Sequence, residues 1–462
     1  MMTRLKLAAL VATLASAMSA GATDLIDIYR QALENDPLLL EAEATRRATA
    51  ENRPLALSGL LPDINFNGGY TDQDSDGFST RQFLPNLPPQ TTINPSDQRI
   101  LNYTLQLTQP LFRWDRWVEL KRADKQVAQE EANYAAAVQE LATRVTERYF
   151  DALAATDELV AEQANKAAIA RQLEEAETRF DVGLIAITDV YESRSAYDQS
   201  VAAEISAKRV LASSLESLRE VTGTYAESDL GAPGDDLPLV GPEPAVQETW
   251  VAQALAQNLT VEASRLAVDI AAEEIKSQRT GHYPTLDLVL SRNRRYTSGT
   301  RFNEFLDDTP TGGGPDASDF DTDTIALQFT VPIYSGGGVS TRVRRAVHQE
   351  RAAKQRLERV SRETERQTRD AFLGVEAEIA RVRALKQAVA SSETALEATQ
   401  AGFDVGTRTS VDVLNARRDL LRAQTNHRRA RYDYLLNVVR LKQAAGTLAL
   451  ADLEDINRWL TH

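Results

Sequence analysis

Apolar positions in two long tracts of the chain recur at steps of three and four. In the first tract they are Tyr134, Val138, Leu141, Val145, Tyr149 and Leu153; in the second, Phe372, Val375, Ile379, Val382, Leu385 and Val389. That spacing lays one apolar stripe along a helix, and its persistence over many turns points to coiled-coil packing. All 16 prolines fall within 37–110, 233–244 and 284–332, which leaves 111–232 and 333–462 free of them. Proline removes a helical hydrogen bond and clashes with the preceding turn, so tracts without it can be helical throughout. Each tract breaks once, at Asp181-Val182-Gly183-Leu184 and at Asp404-Val405-Gly406-Thr407. Glycine there takes the left-handed conformation that ends a helix, and each tract reads as a helical hairpin with that loop as its tip. The long arm, 115–180, spans roughly 100 Å and the return arm, 188–222, roughly 50 Å at ~1.5 Å per residue. Residues 24–57 also read as helix and supply the missing length. The second set is 246–281, 337–402 and 411–446.

Four shorter stretches alternate with period two. Leu101, Tyr103, Leu105 and Leu107 oppose Asn102, Thr104, Gln106 and Thr108; Ile325, Leu327, Phe329 and Val331 oppose Thr324, Ala326, Gln328 and Thr330. Ile64, Phe66 and Tyr70 alternate with Asp63, Asn65 and Gly69, and Leu286, Leu288 and Leu290 alternate less cleanly with Asp287, Val289 and Ser291. These read as β-strands with one apolar face, near the ~9–11 residues a tilted membrane strand needs. Polar stretches at 71–99 and 297–323 are expected as long external loops. Four strands cannot close a barrel, and lipid tolerates no open sheet edge. A barrel must be shared among copies: two give eight strands with a filled interior, three give twelve with room for water.

The same elements occur twice. Gln31-Ala32-Leu33 returns as Gln253-Ala254-Leu255, Leu61-Pro62 as Tyr283-Pro284, and Leu107-Thr108-Gln109-Pro110-Leu111-Phe112 as Phe329-Thr330-Val331-Pro332-Ile333-Tyr334. Phe180-Asp181-Val182-Gly183 returns as Phe403-Asp404-Val405-Gly406. A duplication this long means two copies of one structural unit. The expected division is a first repeat over 23–223, a linker over 224–247, a second repeat over 248–448 and a C-terminal tail over 449–462.

Composition narrows the function. Residues 1–22 read as a secretory signal peptide: Arg4 and Lys6, an apolar run from Leu7 to about Ala17, then Ala20-Gly21-Ala22. With no cysteine near the cleavage site, no N-terminal lipid anchor is expected. No later run is long and apolar enough for a spanning helix. The chain has 52 basic and 67 acidic residues, a net charge of −15. That disfavours nucleic acid, which needs clustered Lys and Arg. The four histidines (His282, His348, His427, His462) have no metal-ligand spacing. Asp72-Gln73-Asp74-Ser75-Asp76-Gly77 copies the first half of a calcium loop, but Phe83 stands where its glutamate belongs. The acidic run Asp316, Asp319, Asp321 and Asp323 reads as a solvated external loop. No catalytic constellation or phosphate loop occurs; neither enzyme activity nor a cofactor or metal is expected. A periplasmic coiled-coil adaptor or scaffold is the rival class, but it should show one hairpin and no lipid-facing strands.

The motifs Val405-Gly406-Thr407-Arg408-Thr409, Val411-Asp412-Val413-Leu414 and Ala445-Gly446-Thr447-Leu448, with the sister motif Val182-Gly183-Leu184 and Ala186-Ile187-Thr188-Asp189-Val190, resemble the TolC-type outer-membrane efflux and secretion channels. The resemblance covers nearly the whole mature chain. It implies a mainly α fold with a membrane β-barrel part: duplicated hairpins forming an α-barrel, and four strands per chain in a twelve-stranded barrel closed by a homotrimer. It implies an exit duct in the outer membrane, in contact with its lipid and reaching into the periplasm. The duct is closed at its periplasmic end and opened when a periplasmic adaptor and an inner-membrane transporter dock.

The resemblance also assigns a gate. The narrowest acidic ring falls on Asp412, where three copies would attract cations and be blocked by them. The second ring position falls on Asn415, which is neutral; Glu192, its repeat mate, is expected to restore part of the charge. The lock falls on Asp189 (with Thr188 beside it), Arg408 and Phe403. Phenylalanine lacks the hydroxyl of the family's tyrosine, so one bond of the lock should be absent and the latch looser, with an Asp189–Arg408 pair remaining. Gly183, Leu184, Gly406 and Thr407 form the tips on which an adaptor would dock. From spacing alone, Asp189 and Asp412 are acids that stabilise helix N-termini, Arg408 is a solvated charge, and the two glycines are turn residues.

Overall fold

The computed structural model describes residues 24–82, 85, 89–93, 96–225, 230–234, 237–301, 304–305, 314–315 and 317–461. The expected signal peptide and Phe83 lie outside these residues. The helices are α1 (Leu25–Asn35), α2 (Pro37–Ala50), α3 (Asn52–Ser58), α4 (Trp114–Asp181), α5 (Ile187–Thr222), α6 (Gln247–Gln257), α7 (Leu259–Arg279), α8 (Gly338–Asp404), α9 (Ser410–Ala444) and α10 (Leu450–Asn457). The long strands are β1 (Asp63–Ser75), β2 (Ser96–Phe112), β3 (Thr285–Arg301) and β4 (Ser318–Thr330). Two compact units result, one from 1–47, 129–265 and 355–462 and the other from 48–128 and 266–354.

The first unit is helical, and its core is the predicted stripe. Leu141, Val145, Tyr149 and Leu153 of α4 are buried with Phe372, Val375 and Val382 of α8. Leu25 and Ile28 of α1, Leu218 of α5 and Tyr434 and Leu435 of α9 complete it. The Tyr149 hydroxyl donates to the Gly231 carbonyl at 2.7 Å. Burial, with the charge of Asp24, raises its pKa, so it stays protonated. α4 is stitched to α5 by Lys166–Glu204 (2.8 Å) and to α9 by Arg428–Asp157 (2.8 Å) and Arg429–Asp151 (2.8 Å).

The short helices meet the return arms end to end, as the arm lengths predict. The C-cap of α5 is Gly223 (φ +72°), packed against Asn35 at the end of α1. In the second repeat Gly446 (φ +75°) lies against Gln257 and Asn258 between α6 and α7, and the Asn258 amide donates to the Ala444 carbonyl at 3.0 Å.

The segment expected as a C-terminal tail is part of this core. α10 buries Leu453 and Ile456. Leu460–Thr461 then pairs antiparallel with Ala232–Pro233, inside the segment read as a linker. Asn457 also caps α1 through Leu25 N and Asp24. Eight residues are too few to show helical periodicity, and their partners lie hundreds of positions away.

The second unit holds an antiparallel sheet in the order β1-β2-β3-β4. Its strands run 13, 17, 17 and 13 residues, longer than the sequence pattern predicts. Much of what reads as external loop is therefore ladder, including Asp72, Asp74, Asp319, Asp321 and Asp323. Cross-strand ion pairs carry this polar extension: Arg292–Asp321 at 2.6 Å, Arg294–Asp319 at 3.0 Å and Arg99–Asp72 at 3.8 Å. Charge alternation conceals a strand when the partner charge sits on another strand.

One face of the sheet is apolar and bare. Ile64, Phe66, Tyr70, Leu105, Ile325, Leu327 and Phe329 are all at least half exposed. Phe66 stacks on Tyr103 at 6.2 Å, and Gly68 leaves room beneath that ring. The opposite face is a polar ladder in which the Asn293 amide donates to the Thr104 hydroxyl at 2.9 Å. The apolar band is slanted. Ile64, Leu107, Leu290 and Ile325 lie in one row of the register. From that row the band continues towards Tyr70 in β1 but the opposite way, towards Phe329, in β4. A slanted band is what tilted barrel strands present to a flat slab of lipid. Among the described residues no helix is long and apolar enough to cross a membrane.

Candidate functional site: the hairpin tips

The two tips are built alike. α4 ends where Gly183 (φ +79°) turns and the Leu184 N–H donates back to the Arg179 carbonyl at 2.9 Å. α8 ends where Gly406 (φ +79°) turns and the Thr407 N–H donates to the Gly402 carbonyl at 2.8 Å. These bonds satisfy the last carbonyls of each helix, as a left-handed cap does. Val182, Leu184 and Val405 are 66%, 74% and 76% exposed, so the tips present apolar side chains to solvent.

The helices leaving the tips start differently. α9 begins with a capping box. The Asp412 N–H donates to the Thr409 hydroxyl at 3.3 Å, and the Thr409 N–H donates to Asp412 Oδ2 at 3.0 Å. The Thr409 N–H and hydroxyl, with the charge of Arg408, hold the Asp412 carboxyl below the usual carboxylate range. α5 begins at Ala186, which has no side chain able to cap, and Asp189 makes no cap bond. Both acids thus lie in the first turn of their helices, where a negative charge is stabilising, but only Asp412 adds a cap bond.

Asn415 and Glu192 are exposed one turn further along their helices. Thr188 is exposed in the first turn of α5.

The lock residues come together only in part. Asp189 and Phe403 line one small cavity with Gln172, Glu175, Arg179 and Ser410. Arg408 is not in it. Its side chain folds back over Gly402, where an added Cβ would meet Arg408 Cγ at 2.8 Å. Within one chain the expected Asp189–Arg408 pair is therefore not formed.

Two contacts escaped the sequence reading. The Arg179 guanidinium sits 4.9 Å from the Phe403 ring centroid, itself held by Glu175 at 2.6 Å. A cation over a ring face is attractive, and it gives Phe403 a partner that needs no hydroxyl. Ser410 accepts from the Gln172 amide at 3.2 Å and lies 3.5 Å from the Ser193 hydroxyl. The only advance sign was the phenylalanine at 403, which needs a partner other than a hydrogen-bond acceptor.

The family model described as "Outer membrane efflux protein" matches residues 28–224 and 250–447, both halves of the chain. The chain belongs to the outer membrane efflux protein family. Outer membrane protein TolC of Vibrio cholerae is 38% identical over 452 residues, covering 98% of this chain and 97% of that one. Alkaline protease secretion protein AprF of Pseudomonas aeruginosa is 29% identical over 440 residues, covering 94% and 87%. Among solved structures the outer membrane protein VceC of Vibrio cholerae superposes with a TM-score of 0.71 at 18% identity, covering 91% and 96%. Family membership accounts for the duplication, because the one family pattern occurs in both halves.

Proposed function

We propose that this chain is the outer-membrane exit duct of a tripartite drug-efflux or type I protein-secretion system. Its transport is passive, and its gate lies at the hairpin tips on the periplasmic side. One observation carries the reading: a four-stranded sheet with a bare, slanted apolar face in a chain with two long helical hairpins. The relatives' names point the same way, since one is an alkaline protease secretion protein. They are channel and secretion proteins, and no enzymatic step is proposed.

Lipid would cover the apolar face, and the unpaired edges of β1 and β4 need partners from other copies. Three copies supply twelve strands, enough for a water-filled lumen. Residues 1–22 direct export and are removed. In the trimer Asp412 forms the acidic ring at the mouth, Glu192 offsets part of the charge missing at Asn415, and Asp189, Thr188, Phe403 and Arg408 belong to the latch. Gly183, Leu184, Gly406 and Thr407, with the apolar side chains beside them, receive the periplasmic adaptor, which couples the duct to an inner-membrane transporter.

Single-channel conductance of the purified mature protein in a planar bilayer tests this. The expected result is a small conductance blocked by multivalent cations from the periplasmic side and relieved in Asp412→Ala. Failure to insert, with a soluble helical protein remaining, would replace the duct with a periplasmic scaffold.

A further inference from the structure

The two places where a strand hands over to a long helix differ in charge. From Thr324 to Gln349 the chain has no acidic residue, 26 positions in a protein with 67 acids. That stretch holds the second half of β4 and the first three turns of α8. Within it the apolar face of β4 runs on past the end of the ladder. Ile325, Leu327, Phe329, Val331 and Ile333 alternate and are all exposed, Ile333 at 95%, and Tyr334 beside it is exposed as well. Gly336 and Gly337 then turn the chain into α8.

The first turns of α8 carry Arg342, Arg344 and Arg345, all exposed, and Arg279 is exposed at the end of α7. The Arg342 guanidinium reaches back to Gly281, just beyond that end, 3.7 Å from where a Cβ there would stand. Among the described residues none of the four has an acid partner, and Arg344 donates only to the Thr341 hydroxyl at 3.0 Å. The next acid along the chain, Glu350, is held by Lys354 at 2.5 Å. A helix start favours acids, yet α8 has none in its first turn. The handover from β2 to α4 is the contrast. It too exposes apolar side chains, Leu111, Trp114 and Trp117. Its arginines, however, are paired: Arg113–Asp287 at 3.0 Å, Arg116–Asp115 at 3.7 Å and Arg122–Glu119 at 2.7 Å.

We propose that the second handover is a contact for anionic phospholipid, in which Arg342, Arg344 and Arg345, with Arg279 beside them, bind phosphate headgroups of the periplasmic leaflet. Position and charge set the occupant. The apolar stripe that leads to the cluster is the face that lipid covers, and Arg345 stands only roughly 10 Å along the helix from Gly338 at ~1.5 Å per residue. The polar layer beyond the hydrocarbon is itself roughly 5–8 Å deep, and its surface charge is felt for about 8 Å more. Bases clustered beside a membrane-spanning element are drawn to anionic lipid, and arginine meets a phosphate with two N–H groups at once. Tyr334 is an aromatic anchor at the same level. This rests on the reading that lipid covers the bare face of the sheet.

The test uses the full mature chain in vesicles of equal parts phosphatidylglycerol and phosphatidylcholine, with first one lipid and then the other brominated on its acyl chains. The reference protein is Trp114→Phe/Trp117→Phe/Tyr334→Trp, whose new tryptophan is quenched by the brominated lipid beside the cluster. Into it are placed Arg342→Gln/Arg344→Gln/Arg345→Gln and, separately, Arg342→Lys/Arg344→Lys/Arg345→Lys. The reference should prefer phosphatidylglycerol roughly tenfold, the strength of one or two bases beside an anionic surface. The glutamine variant should lose the preference and the lysine variant keep most of it. Raising NaCl from about 0.1 M to about 1 M shortens the screening length from roughly 10 Å to roughly 3 Å; it should lower the preference of the reference and leave the glutamine variant unmoved. Equal quenching by both lipids in an inserted reference protein, or a preference that survives in the glutamine variant, would overturn the lipid contact and leave the duct intact. A glutamine variant that falls to monomers in neutral detergent would give the arginines to a neighbouring copy and overturn it too. A reference protein that does not insert at all would overturn the duct itself.

Discussion

The two tips share a backbone and differ in chemistry. Gly183 and Gly406 have the same φ of +79°, and each turn returns a backbone bond to the helix it ends. Beyond the turn, the second hairpin starts α9 with a capping box and an acid drawn below its usual pKa, while the first starts α5 with an alanine. Across the gap, the first hairpin contributes Arg179 and the second Phe403. The repeat mate of Arg179 is Gly402, so the contact cannot be made twice. Duplication preserved what the turn requires and let the surrounding side chains diverge, because a glycine at positive φ has no cheap substitute, whereas a capping acid does.

The largest test of this comparison lies at the other end of the hairpins. Gly446→Ala should destabilise the protein by about 3 kcal/mol, adding left-handed strain to a backbone clash, because the new Cβ would meet the Gln257 carbonyl oxygen at 2.5 Å. Gly223→Ala should cost about 1 kcal/mol, the strain alone, since its Cβ would meet only the Asn35 side chain at 3.3 Å. Thermal unfolding in detergent ranks the two, and equal losses would show that the repeat ends are packed alike.

Next in size is the cap. Asp412→Ala, which removes one half of the capping box, should lower the thermal midpoint, whereas Asp189→Ala, which breaks no cap bond, should lower it less. If Asp189→Ala proved the worse, the tips would not differ as described.

The latch is smaller again. Arg179→Ala should cost about 0.5–1 kcal/mol from the lost ring contact and raise the frequency of channel opening. Arg408→Ala should leave the stability of a single chain unchanged, because the arginine makes no ion pair within it. A closed state unaffected by Arg179→Ala would remove that residue from the latch, and a tightly closed pore resistant to Arg408→Ala would contradict the looser lock.

The smallest effect is a pH dependence. A depressed folded pKa means that Asp412 contributes stability above its unfolded value and that this is lost as pH falls through the folded one. Cation block should therefore persist at about pH 4, where an ordinary aspartate is half protonated. Block that fades from pH 5 downwards would show a carboxyl not held by Thr409.

Much of the fold was legible because its signals are local. Helix arms, turn glycines and the duplication follow from proline placement, from steps of three and four, and from motifs a fixed distance apart. The sequence by itself determined two long hairpins, four strands with an apolar face, and the cap role of Asp412, whose partner is three residues away. Tertiary structure alone decided the true strand lengths, since Arg292 and Asp321 cancel each other's charge from separate strands. It decided that the last residues form a core helix, that Arg179 covers Phe403, and that Arg408 turns back over Gly402. Each of these depends on a neighbour supplied by folding, and periodicity reports which face of an element is apolar but not which side chain will stand opposite it.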